Sequence, residues 1–277
     1  MKKTVILLIA LSAFSVSHLN AQCIENNAFT AGEKLEFTGY YNWGLLWVNA
    51  GKITMNVKKT EFLGKPAYEL KGIGRNAKAF DMFFSLRDTL TSVVDKETLI
   101  PYSLDRITNE GSYKARHVYT YNYSNNTINA FINKKGKQKN SSIPFNGCVT
   151  NLMNVLYYAR NIDYEALNKG DRIPIKMLVD AEISNVEIRY RGKEEIKTKS
   201  GLKVKCYRIT PVLPNGAMFE DGDGMSVWLT QDENKVPVMV EAKIRVGSVK
   251  GVLKNYSGLK HSNNVFNNTN GVFENEE

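Results

Sequence analysis

The sequence predicts a mainly β protein: a curved antiparallel sheet or half-open β-barrel, with one main α-helix against its concave face. Three observations predict it. Apolar and polar residues alternate with a period of two through most of the chain. Turn-forming residues punctuate those runs at short intervals. The repeated strand-then-helix pattern that a parallel α/β sheet needs is absent.

Residues 1–21 have the layout of a secretory signal peptide. Lys2 and Lys3 give a positive start, Thr4 to Val16 is mostly apolar, and Ala21 offers a small residue for cleavage. The apolar run is too short and too interrupted for a membrane-spanning helix, which needs about 20 apolar residues. No transmembrane segment is therefore expected after cleavage, and the mature chain is expected in the periplasm, at the outer membrane or in the medium. A competing reading attaches lipid at Cys23. Gln22 before it speaks against that, because lipoprotein signals resemble one another in placing Gly, Ala or Ser there.

The chain has 277 residues and a formal charge of +9. That length suits a single β-rich domain over residues 22–260. The basic excess is spread out, apart from Lys134 to Lys139, which suits a solvated hairpin tip. Nucleic acid would fit the charge but not an exported address. Anionic lipid head groups remain a candidate for weak attraction. An exported address permits disulfides. Of Cys23, Cys148 and Cys206, the pair Cys148–Cys206 is favoured, with three reduced thiols close behind.

The strands follow in order. Leu35 and Phe37 alternate with Glu36 and Thr38, and Ile53, Met55 and Val57 with Thr54 and Asn56. Tyr119 to Tyr123 and Ile128 to Ile132 flank the turn residues Ser124-Asn125-Asn126, a hairpin. Met225 to Leu229 and Val238 to Val246 complete the series. Such alternation marks sheets with one buried face. The main helix is expected over Leu152–Leu167, capped by Thr150 or Asn151 and stopped near Gly170. Asn76 to Leu86 suits a short helix or an apolar loop. Residues 261–277 are Asn-rich, lack periodicity and are expected to be disordered.

Motifs for chemistry are scarce. Only His117 and His261 follow the leader, so a zinc site built on histidines is nearly excluded. His117 is expected on the outward face of its strand. The Asp221-Gly222-Asp223-Gly224 stretch lacks the ligand spacing of a calcium loop and suits an Asp-Gly turn. Strand acids such as Glu69, Asp88, Asp105, Glu187 and Glu241 suit a solvated face. No phosphate-cradling loop, dinucleotide fingerprint or Cys-x-x-Cys occurs, so no cofactor or metal is expected.

Aromatic residues are the stronger hint. Tyr40 to Val48 and Phe80 to Phe84 are unusually apolar for strand ends and loops. Core packing is the commoner use of such residues, and a ligand cavity is the functional one.

Several segments together resemble the exported bacterial family called domain of unknown function 3108. They are Phe29 to Phe37, Tyr41-Asn42-Trp43-Gly44, Val48 to Gly51, Gly64 to Tyr68, Leu156 to Arg160, Met225 to Thr230 and Val236 to Lys243. The style is similar to Bacteroidota proteins. The resemblance covers nearly the whole mature domain and implies no established activity. In outline, a long antiparallel sheet with one helix is similar to periplasmic lipoprotein carriers, a likeness of fold alone.

The leading expectation is thus a non-enzymatic envelope protein that binds an apolar ligand, such as a lipid or lipoprotein acyl chain. The lining would be Trp43, Trp47, Phe83, Phe84, Leu156 and Tyr157. A scaffold binding another envelope protein is the alternative, with an interior filled by side chains. A hydrolase with acidic catalytic residues comes third.

Overall fold

The computed structural model describes residues 23–43, 46–80, 85–198, 201–212, 224–243, 247–262 and 266. The leader, Phe83, Phe84, Asp221 to Asp223 and the side chain of Trp43 lie outside the described residues.

Among the described residues, fifteen strands form one sheet. They are β1 (Lys34–Trp43), β2 (Leu46–Phe62), β3 (Lys65–Asn76), β4 (Arg87–Asp95), β5 (Pro101–Glu110), β6 (Tyr113–Asn122), β7 (Thr127–Lys134) and β8 (Lys137–Pro144). After these come β9 (Val149–Asn151), β10 (Arg172–Val179), β11 (Glu182–Lys197), β12 (Lys203–Val212), β13 (Met225–Thr230), β14 (Pro237–Lys243) and β15 (Ser248–Ser257). The order is β8-β7-β6-β5-β4-β3-β2-β1-β15-β14-β13-β12-β11-β10-β9, with β8 and β9 as free edges. Pairing is antiparallel throughout except between β9 and β10. The barrel is therefore half-open, and its alternation is legible strand by strand. On β6, Ala115, His117, Tyr119 and Tyr121 are buried, while Arg116 and Thr120 are exposed.

So long a sheet must coil. Glycines mark the bend at its centre: Gly39 pairs with both Gly51 and Gly251. The register slips by one residue between Gly39 and Tyr40. A Cβ at Gly51 would collide with the Arg75 carbonyl and lie 2.8 Å from Asn76 Cα. Only glycine lets β2 approach β3 this closely.

The chain fills its own barrel. Residues 145–160 cross the interior and bury Phe145, Val149, Met153 and Tyr157 in one core with Leu35, Leu70 and Leu104. Met153 Sδ would lie 3.2 Å from a Cβ at Gly72, so that glycine makes room for it. A second core joins Ala159, Ile162 and Tyr164 to residues of β10–β13.

The helix is much shorter than expected: α1 spans Asn154–Ala159 rather than Leu152–Leu167. Its N-cap is Met153, without a side-chain cap bond, rather than Thr150 or Asn151; Asn151 Oδ1 accepts from the backbone N–H groups of Met153 and Asn154 at 3.1 and 3.0 Å and holds the turn before the helix. Asp163 then takes an extended conformation and caps a separate 3-10 turn, Tyr164–Ala166, which ends the helix early. The Asn76–Leu86 segment contains a 3-10 turn at Lys78–Phe80.

The disulfide also differs. It joins Cys23 to Cys148, with Cα atoms 5.1 Å apart, and Cys206 is a buried free thiol. Backbone bonds from Ile24 and Asn26 to Thr98 and Glu97 carry the N-terminal segment past the β4–β5 turn to Cys148. Cys206 is enclosed in β12, where its thiol points at the Val204 carbonyl. The C-terminal segment packs onto the domain where it is described. His261 bonds Asn234, and Phe266 is buried against Tyr256 at 4.6 Å between ring centroids.

One ion pair binds these parts together. Arg160 and Glu33 are each 1% exposed and meet through two bonds of 2.6 and 2.7 Å. Arg160 also donates to the carbonyls of Asn234 and Ala28, at 3.0 and 3.4 Å. Its guanidinium lies over the Phe29 and Tyr157 rings. Arg160→Leu leaves the Glu33 charge buried alone and should cost about 3–5 kcal/mol, read from urea unfolding. Replacing both partners, Glu33→Met with Arg160→Leu, should recover much of that loss; an undiminished loss would show that the pair itself is not the cause.

Candidate functional site

The outer face of the central strands carries a groove of about 340 Å³, lined by residues of β1, β2, β3 and β15. Glu36 and Thr38 alternate with buried Leu35 and Phe37, which sets their side chains on the outside. Asn49, Lys52, Arg75, Asn76, Lys254 and Asn255 complete the polar lining. The close approach of β2 and β3 at Gly51 shapes its floor.

Glu36 organises this surface. Its carboxylate accepts from Asn255 Nδ2 at 3.0 Å and pairs with Lys34 and Lys52 at 2.8 and 3.2 Å. The Asn255 amide first, then the two lysines, lower its pKa from 4.5 to about 2, against the opposing effect of burial. Trp47 lies two residues from Asn49 on β2, 38% exposed, with Lys250 Nζ 4.5 Å from its ring centroid. The register slip gives Trp47 the opposite parity from Ile53, so they face opposite ways.

Of the six residues expected to line one cavity, Trp47, Leu156 and Tyr157 have described side chains. Tyr157 is fully buried against Phe29, 4.6 Å between centroids, and Leu156 packs at the rim of the same core. Trp47 belongs to the exposed surface instead.

His117 corrects another expectation. It faces inward and is 3% exposed, in phase with Tyr119 and Tyr121. Its Nδ1 is 3.6 Å from Asp180, and its buried Nε2 has no hydrogen-bond partner. Burial first, and then Arg106 and Lys134, lower its pKa despite Asp180, so the ring is kept neutral.

The strand acids are mostly paired with bases: Asp105 with Arg116, Glu187 with Arg172 and Arg189, Glu241 with Lys250. Asp88 instead meets Glu110, whose pKa is raised by burial and then by Asp88's charge and hydrogen bond. Carboxyls in direct contact leave no gap for water or sugar, whereas hydrolytic pairs sit roughly 5–10 Å apart. Among the described residues no group of three or more His, Cys, Asp or Glu could hold a metal, and no helix is long and apolar enough to cross a membrane. The groove itself escaped the sequence reading because its lining runs from residue 36 to residue 255.

The depressed pKa of Glu36 makes its ionised form the stabilising one. That contribution is complete above about pH 4.5 and is lost as pH falls toward about 2. The Glu36→Gln variant should therefore lose less stability than the parent between those pH values, read as urea midpoints. Equal losses would place Glu36 outside the network.

Comparison with known proteins agrees with the architecture. A crystal structure of a beta-barrel-like protein of domain of unknown function DUF1849 from Brucella abortus superposes with a TM-score of 0.55 and 9% identity, covering 83% of this chain and 98% of that one. At that identity the likeness concerns the fold alone. No curated protein matches the sequence. The model of the family described as protein of unknown function (DUF3108) matches residues 36–254, and the chain belongs to that family.

Proposed function

We propose that the chain is an exported, non-enzymatic binding protein of the cell envelope that engages its partner on the outer face of its sheet. One observation carries this reading: the interior that a carried apolar molecule would need is occupied by the protein's own residues 145–160. A filled interior favours the scaffold reading over an enclosed lipid or acyl chain. In this reading Leu156 and Tyr157 are core, and Trp47 belongs to the working surface.

Export is supported by the leader and by the Cys23–Cys148 bridge, since disulfides persist in oxidising compartments. A Cys23 sulfur held in that bridge carries no lipid thioether. The absence of enzymatic activity is supported by the base-paired acids and by the enclosure of His117.

Native mass spectrometry of protein purified gently from its own envelope tests the proposal. The expected species starts at Gln22, contains one disulfide and retains no acyl-bearing ligand. Its one free thiol, Cys206, reacts only after unfolding, because burial encloses it and raises its pKa to about 12. A stoichiometric acyl ligand kept through purification, or an uncleaved leader, would overturn the proposal.

A further inference from the structure

We infer that the turn between β10 and β11 is a proton-released latch: it ties these strands to the inner face of β5 and β6, and it opens when His117 takes up a proton. The device lies on the inner side of the sheet and does not depend on the outer-surface reading above.

The turn reaches across the half-open barrel. In the order of the sheet, β10 and β11 lie near the β9 edge and β5 and β6 near the β8 edge, so among the described residues no backbone ladder joins the two pairs. Asp180 joins them through side chains. Its Oδ1 lies 3.6 Å from His117 Nδ1 and 3.8 Å from Arg106 Nη1. Arg106 and His117 are register partners on β5 and β6 and so share one face. Ala181 and Ile183, at the same tip, pack against the core that contains Leu104, Tyr119 and Tyr121.

This hold is weak enough to be released. The Asp180 side chain is 55% exposed, and so solvated a pair contributes little. Val179 pairs with Glu182, which makes Asp180 and Ala181 a two-residue turn, with φ of 47° and 67°. Such turns favour glycine at their second position, where Ala181 carries a Cβ. A side chain in the left-handed region persists only while its surroundings hold it there.

His117 supplies the trigger. It is 3% exposed, and its Nε2 has no hydrogen-bond partner. Arg106 from β5, Tyr119 from β6, Lys134 from β7 and Asp180 from the turn face the ring. Protonation here creates a buried charge with an N–H that lacks an acceptor, beside two cations and one solvated carboxylate. Burial lowers the pKa of the ring most; Asp180 opposes, and Arg106 and Lys134 add to the lowering. Lifting the turn admits water and removes burial, so the open form binds the proton more tightly. The closed form is therefore favoured above about pH 6.5, the ordinary histidine value, and loses ground as pH falls below it.

The test places spin labels on the mature protein at Glu182→Cys, beside the turn, and Asn129→Cys, on the outward side of β7; both positions are exposed. Cys206 is buried and Cys23 is bonded to Cys148, so the labels go to the introduced thiols. Pulsed electron–electron distance measurements at pH 7.5 and 5.5 read the latch. The labelled parent should gain a longer distance at pH 5.5, with the ratio of open to closed rising by up to about tenfold. His117→Phe keeps a ring but removes the titration, and should show the same distances at both pH values. His117→Gln replaces it if the Phe variant has a lower urea midpoint. Glu110, which also feels Arg106, has a pKa raised by burial and then by Asp88. A pH response that survives replacement of His117 therefore belongs to another group and overturns the inference. So does a parent distance that is unchanged between the two pH values.

Discussion

The Glu33–Arg160 pair is the constraint on which the other parts depend. Burying two charges costs several kcal/mol per ion, and only near-complete hydrogen bonding offsets it. Here the two-bond contact supplies part of that bonding, and the Asn234 and Ala28 carbonyls supply more. Those partners come from four separated places: the N-terminal segment, the start of β1, the end of α1 and the turn between β13 and β14. An arginine in this position therefore fixes how the crossing segment enters the barrel. The disulfide adds a second tie, from Cys23 to the start of the same segment at Cys148.

A half-open barrel filled by its own chain has consequences for function. The inner faces of most strands are committed to packing, so variation in what the protein binds is left to the outer face and the ends. The central glycines serve both sides at once. They let the sheet bend around residues 145–160, and at Gly51 they bring β2 and β3 close enough to shape the groove outside. Glu36 and Glu33, three residues apart, have opposite roles: one organises solvent-facing lysines, the other neutralises a buried arginine.

Much of this was legible in the sequence, and the remainder was not for physical reasons. Period-two alternation located β1, β2, β6 and β7 because each has one buried face. The same rule, carried through to Tyr119 and Tyr121, puts His117 inward, against its expected outward face. Asn151 was recognisable as a residue that turns the chain into α1, although the N-cap itself is Met153. The length of α1 was not, since Asp163 interrupts an apolar pattern that continues beyond it. Cys148 could have paired with either of two cysteines, and only the path of residues 23–26 along the β4–β5 turn decides for Cys23. The Glu33–Arg160 contact and the groove both join residues more than a hundred positions apart, and no local pattern marks such pairs.

Hydrogen exchange of the backbone amides of residues 149–160 tests the central claim most directly. If the crossing segment is integral to the barrel, its hydrogen-bonded amides, such as those of Met153 and Asn154, exchange only through global unfolding, as slowly as the amides of β1. Rapid exchange of this segment while β1 stays protected would mean that it leaves the barrel readily. The interior would then be open to a ligand, contradicting the account.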